Sequence, residues 1–404
     1  MVCLSFLKRV AAKVPELRLL STPRVRGARI LPMASRARNR CHPLAALAVV
    51  GLASGVQRHA SLLALPLAQD VPAQDVPVYD QERAYQYHKE NAQLILDLEH
   101  PVLNHFASLH AELTIFMWGD STMQRQFSLL RMLMGGPSFD VYTGPNFQIP
   151  ISPLPKELMH GNGASAAWCT SADIYTYHAA FGNATFTLFG GFCTTGAVSV
   201  AMVPAVLDLL QQMPSNFTPP ADSLMYIGGA GVHHLHIDGP LVNGFKRDWA
   251  AMQPLVEAFE ENTKFGLLQL QESYPQSKLA YFNTHSLCNE RIVSHEISLG
   301  QHIAHERAVA CDSHDWEACF SGYDLPAEER KPFCESLFSH HGSNAMAIRE
   351  HAVLKDPRLK WALVDGYKIT KDLCDQTDDG VHFSPATMMK EIEDALTVLR
   401  KKKP

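Results

Sequence analysis

Ser121 closes the triplet Gly119-Asp120-Ser121, and far downstream Asp379-Gly380-Val381-His382 sets a carboxylate three residues before an imidazole. These are the residue types of acyl transfer through an activated serine. A serine hydroxyl is a weak nucleophile at neutral pH. It needs a base within hydrogen-bond reach, and the base needs a third group to fix its tautomer. On this reading Ser121 is the nucleophile, His382 the base and Asp379 its orienter. Each half also has a plainer explanation. Gly-Asp-Ser can be a helix start, with Ser121 as cap and Asp120 complementing the dipole. Asp375, Asp378 and Asp379 can be a solvated acidic turn. The two halves together, each at the end of an element, favour the chemical reading.

The elements around them can place them. Glu112 to Trp118 is a β-branched and aromatic run that reads as a buried strand. Apolar positions from Thr122 to Met134 recur at helical spacing, and Gly135-Gly136-Pro137 stops that helix. A serine at such a strand-to-helix turn sits among outward-pointing N–H groups, where an oxyanion is favoured. Strand patterns recur at Ala184–Phe189, Ser223–Gly229, Lys278–Asn283 and Trp361–Val364. Helical patterns fall at Val200–Met213, at Asn243–Asn262 with a break near Pro254, and at Thr387–Lys401. This alternation predicts an α/β fold with a parallel sheet and helices on both faces. Residues 286–350 hold few strand signals and read as a helical, Cys-containing insertion or cap. Ser121, the Gly229–His234 turn, His285 and the Asp379–His382 loop all follow strand ends, where ligands of such sheets bind.

The pairing of an early Gly-Asp-Ser with a late Asp-x-x-His resembles the SGNH (GDSL-like) hydrolases. The block Gly119 to Phe127, with Arg125 and Gln126, is similar to the serine block of their PC-esterase branch, as Leu363–Ile369, Cys374 and Asp379–Phe383 are to its C-terminal block. That branch includes plant trichome-birefringence-like polysaccharide O-acetyltransferases and Golgi sialic-acid O-acetyltransferases. The resemblance implies a three-layer α/β/α, flavodoxin-like catalytic domain over residues 76–404 and a carbohydrate O-acyl esterase or transferase activity. It implies a glycan or other acylated small molecule as substrate, no cofactor, and an acyl donor such as acetyl-CoA or an acetylated intermediate if the reaction is transfer. Two departures stand out. The branch has an arginine three residues after the serine, where this chain has Gln124, with Arg125 next to it. The branch's central asparagine has no counterpart in Leu224–His236, so Gly229, Gly231, His233 or His234 stands in as oxyanion donor, with Gly190 or Gly191 supplying the backbone N–H that follows the second strand. Arg125 is expected to brace the serine loop.

Composition sets outer bounds. The 404 residues are 46% hydrophobic and carry a net charge of −6, without a basic, aromatic-interleaved stripe, so nucleic acid is not an expected partner. Residues 1–75 read as a targeting segment and linker. Arginine and serine enrichment up to Arg40 resembles a transit peptide, whereas from Met33 a basic stretch followed by apolar Leu44–Val56 resembles a signal peptide. Secretory entry (Golgi lumen or secretion) is preferred over a plastid or other organelle, with membrane contact only through a possible N-terminal anchor. Sequons at Asn183 and Asn216 fit a lumenal body. So does a disulfide-pinned loop among Cys311, Cys319 and Cys334; the odd set of body cysteines leaves at least one free thiol or an intermolecular bond. Twenty histidines, among them His233, His234, His236, His285, His295, His302, His305 and His314, invite a metal-hydrolase reading. The spacings of zinc proteases are absent, and no metal site is assigned. A non-catalytic glycan-binding or scaffold protein on a decayed hydrolase fold is the remaining alternative.

Overall fold

Glu112–Gly119 forms strand β1, and its side chains sort by the period of two that a strand imposes. Ile115 and Met117 enter one apolar cluster, and Phe116 and Trp118 enter another on the opposite face. The same division runs through Leu224 and Tyr226 against Met225 and Ile227, and through Ala280 and Phe282 against Leu279 and Tyr281. Each large apolar side chain so buried contributes about 1.5–3 kcal/mol, and a one-residue slip would exchange both sets. Register is therefore fixed from both faces at once. The computed structural model describes residues 90–92, 95, 99–136, 147–150, 171–193, 200, 203–212, 220, 223–228, 231, 235, 249–292, 309–320, 325–377 and 379–400. The chain divides into Met1–Gln74 and Asp75–Pro404, and every described residue belongs to the second unit. The targeting segment, the linker and the Asn216 sequon lie outside the described residues.

The further strands are β2 (Phe147–Pro150), β3 (Ser171–Phe181), β4 (Ala184–Cys193), β5 (Leu224–Gly228), β6 (Lys278–Phe282) and β7 (Ala362–Val364), in the sheet order β2-β3-β4-β1-β5-β6-β7. The helices are α1 (Pro101–Ala107), α2 (Ser121–Leu133), α3 (Val203–Gln212), α4 (Trp249–Ser273), α5 (Trp316–Cys319), α6 (Ala327–Cys334), α7 (His340–Leu354), α8 (Gly366–Thr370) and α9 (Pro385–Arg400). Leu103, Phe127 and Ile392 bring α1, α2 and α9 onto one face of the sheet. Leu207, Leu267 and Met346 bring α3, α4 and α7 onto the other. The fold is α/β with helices on both faces. From β1 the chain goes to β4 on one side and later to β5 on the other, so the strand order reverses at β1, and Ser121 stands just beyond it.

Two expectations need correction. The sheet is mixed, not parallel: β4, β1, β5, β6 and β7 are mutually parallel, but β3 runs antiparallel to β4 and β2 antiparallel to β3. β3 joins β4 through the two-residue turn Gly182-Asn183, where Gly182 takes a φ of 59° and a Cβ would strike the Ala107 carbonyl. Helix α4 runs through Pro254 to Ser273 without a break; the proline removes one N–H donor near the start of a long helix that packs along its later turns. Within 286–350, the described helices include α7, which extends to Leu354 and carries Met346 and Val353 into the main core.

Candidate active site

Three chain segments meet at the C-terminal edge of β1. Helix α2 begins at Ser121, and its N-cap is Asp120 rather than the serine: Asp120 Oδ1 accepts the Thr122 N–H at 2.9 Å. This corrects the expectation of a serine cap and has a chemical consequence. The cap is satisfied by the neighbouring carboxylate, so the Ser121 hydroxyl is left for another partner. That partner is His382, with Ser121 Oγ 2.7 Å from Nε2. The close approach of α2 to the sheet requires Gly119, because a Cβ there would lie 2.3 Å from both the Gly228 carbonyl oxygen and Met123.

The base is held by its own loop. His382 Nδ1 donates to Asp379 Oδ2 at 2.6 Å, which makes Nε2 the acceptor for the serine proton. Asp379 Oδ1 accepts the backbone N–H groups of Val381 (2.9 Å) and His382 (2.7 Å), so one carboxylate orients both the ring and the turn. Gly380 makes that turn at a φ of 76°, with its N–H on Thr377 Oγ1 and its carbonyl accepting the Cys288 N–H at 2.9 Å. The Thr377–Phe383 bridge closes the loop, and the Cys288–Cys374 disulfide ties it to the segment beyond β6. Gln376 then accepts from Ser384 and Thr387, fastening the loop to the start of α9.

Electrostatics suit a base that is neutral before reaction. Burial would raise the carboxyl of Asp379, but the His382 ring, backed by the Arg125 guanidinium at 4.0 Å, holds it well below the usual carboxylate range. Burial, reinforced by Arg125, lowers His382 below its ordinary value against the pull of Asp379. At neutral pH the ring is therefore an unprotonated acceptor beside an ionised aspartate. Arg125 acts on the triad carboxylate, which is more specific than bracing the serine loop.

No family model matches the chain, and no curated protein matches it.

The oxyanion candidates divide differently. Gly190 and Gly191 are not strand-end donors: both lie inside β4, paired with Met117 and Trp118 of β1 and with Tyr175 and Ile174 of β3. Their lack of a side chain makes room for aromatic rings, since a Cβ at Gly190 would meet Phe192 and Phe127, and one at Gly191 would meet Trp118. The level of Gly119 is reached only at Phe192. Gly231 packs against Thr284 and Glu350 beyond the end of β6. Gly229, His233 and His234 lie outside the described residues, as do His236, His295, His302 and His305. The Ser121 N–H lies at the first turn of α2, and the Asp120 cap takes the Thr122 N–H instead.

Two buried clusters beside the triad were not read from sequence. His285, beyond β6, places Nε2 2.6 Å from Glu391 Oε1, while Glu391 Oε2 accepts from Gln126 at 2.8 Å. Glu350 accepts from the Tyr281 hydroxyl and the Thr284 N–H, both at 2.7 Å, and burial pushes its carboxyl up to about 7 against the pull of those donors. Neither cluster has a spacing signature, because each joins residues from distant elements; the one hint was His285 at a strand end. Cys311 and Cys319 form a disulfide, with the buried Cys334 thiol 3.6 Å from Cys319 and raised to about 11 by burial and the nearby Asp312 and Glu335 carboxylates. Among the described residues these three sulfurs are the one group of side chains with metal-ligand proximity, and two of them are already joined to each other.

Proposed function

We propose that this protein is a serine-dependent acyl esterase or O-acyltransferase of SGNH-like fold, acting on O-acyl groups of carbohydrates. The continuous Ser121–His382–Asp379 hydrogen-bond chain, at the strand where the sheet order reverses, carries the reading. His382 Nε2 takes the Ser121 proton as Oγ attacks the ester carbonyl. The oxygen gains its negative charge beside the Ser121 N–H and the positive end of α2. Asp379 stabilises the imidazolium without taking its proton. Collapse of the tetrahedral intermediate breaks the ester C–O bond, and His382 returns the proton to the departing alcohol. Water, or a sugar hydroxyl in transfer, then attacks the acyl-enzyme with His382 again as base. The carbohydrate preference and membership of the PC-esterase branch rest on the similarity of the Gly119–Phe127 and Asp379–Phe383 blocks.

Fluorophosphonate labelling tests the nucleophile. The wild-type protein is expected to label at Ser121, and Ser121→Ala and His382→Ala to lose labelling and p-nitrophenyl acetate hydrolysis by roughly 10⁴-fold or more. Undiminished labelling of folded Ser121→Ala would refute the assignment. Product analysis with an acyl donor, with and without a glycan acceptor, separates hydrolysis from transfer.

A further inference from the structure

Glu391 sits at a junction that the triad itself does not need. It is fully buried on α9, seven residues after Ser384, and its two oxygens reach two other segments: Gln126 on the serine helix α2 and His285 beyond β6. His285 is 2% exposed, with its ring edge-on to Phe282 at 4.9 Å and to Phe383 at 5.1 Å. Phe383 follows the catalytic base directly. The second nitrogen of His285, Nδ1, is buried without a hydrogen-bond partner among the described residues; burial would lower the ring, but the Glu391 carboxylate holds it above its ordinary value. A buried nitrogen left open is costly unless the position is used.

We propose that His285, paired with Glu391, is a positioning residue that fixes the Asp379–His382 loop against the serine helix. This rests on the esterase reading above. The His285 Nε2 pairs with Glu391 Oε1, and its ring stands edge-on to Phe383, the residue after His382. Glu391 in turn holds α9 against Gln126 of α2. Nucleophile and base thus share one buried anchor although their own contact is a single hydrogen bond. The charged groups that face the ring are Glu391 from α9 and Asp120 from the start of α2, with the Asp379–His382–Arg125 set beyond Phe383. A buried charge that loses its partner is strongly destabilising, so the informative variants keep the shape.

The test uses His285→Gln, which can still donate to Glu391 but lacks the ring that packs on Phe383, and Glu391→Gln. For each, fluorophosphonate inactivation is resolved into kinact and KI, and amide hydrogen exchange is followed in the peptide spanning 377–384. Displacement of a reacting group by up to an ångström lowers rates by about 10- to 100-fold, so kinact is expected to fall in that range with KI unchanged. Exchange in the triad loop should accelerate while β1 and β5 keep their protection. Wild-type kinact and wild-type loop exchange in folded His285→Gln would overturn the proposal. If the wild-type protein fails to label, the esterase reading falls, and the exchange arm still decides whether His285 holds the loop. If either polar variant fails to fold, Gln126→Met, which removes the contact to Glu391 Oε2, carries the same pair of outcomes.

Discussion

Gly380→Ala is the sharpest single perturbation of the site. Gly380 has a φ of 76°, and an L-residue in that region loses about 1–2 kcal/mol. Sterics add a second cost, because a Cβ would stand 2.6 Å from the Ile292 nitrogen and 2.7 Å from the Cys288 carbonyl oxygen, both backbone atoms unable to swing aside. The loop must therefore move by several tenths of an ångström, and it carries His382 at 2.7 Å from Ser121. Gly135 supplies the control. Its φ is 78°, but no atom lies within 4 Å of the place a methyl group would occupy, so Gly135→Ala incurs the backbone cost alone. Denaturant unfolding should show Gly135→Ala destabilised by about 1–2 kcal/mol and Gly380→Ala by more. Fluorophosphonate labelling should be unchanged in the first and slower by about 10- to 100-fold in the second. Equal stability and equal labelling in the two variants would refute the claim that the Asp379–His382 turn is sterically pinned by the segment beyond β6.

Three further outcomes follow from the same geometry. His382 is held below its ordinary value of 6.5, so the labelling rate should rise with pH, reach half its maximum below 6.5 and stay level through pH 7–8; a midpoint above 7 would contradict the neutral base. The Cys288–Cys374 disulfide closes 86 residues and secures the triad loop, so Cys288→Ser with Cys374→Ser should lose about 2–4 kcal/mol of stability and slow labelling, whereas unaltered unfolding would exclude that role. Burial raises the Glu350 carboxyl from 4.5 to about 7, which means that the folded state holds a proton that the unfolded state releases, and stability falls as pH rises through that window. Glu350→Gln should escape a loss of about 3 kcal/mol between pH 5 and 8, visible as unfolding curves that diverge from wild type; parallel curves would count against the shift.

How legible the molecule was depended on how local each signal is. The β1 run and both halves of the triad were readable because strand period, turn glycine and residue type act within a few positions. The cap was misassigned because Asp120 and Ser121 are both good caps and only the fold decides which side chain turns inward. Gly190 and Gly191 looked like loop residues; the aromatic rings of Trp118, Phe127 and Phe192 that require them come partly from other elements. Strand β3 was missed although Tyr175, Thr176 and Tyr177 precede a Gly-Asn turn of the kind that joins hairpins. The His285–Glu391–Gln126 anchor was out of reach, since its members are separated by more than 100 residues at their closest.

Helices α2 and α9, packed on one face of the sheet, carry Ser121 and follow the His382 loop, and 261 residues separate Ser121 from His382. Synthesis from the N-terminus therefore produces Ser121 long before the imidazole to which it hydrogen-bonds. Until the Asp379–His382 loop has left the ribosome and docked, Ser121 lacks that partner. On the proposed esterase reading, a chain stalled before His382 would carry the serine without its base and would not react with esters.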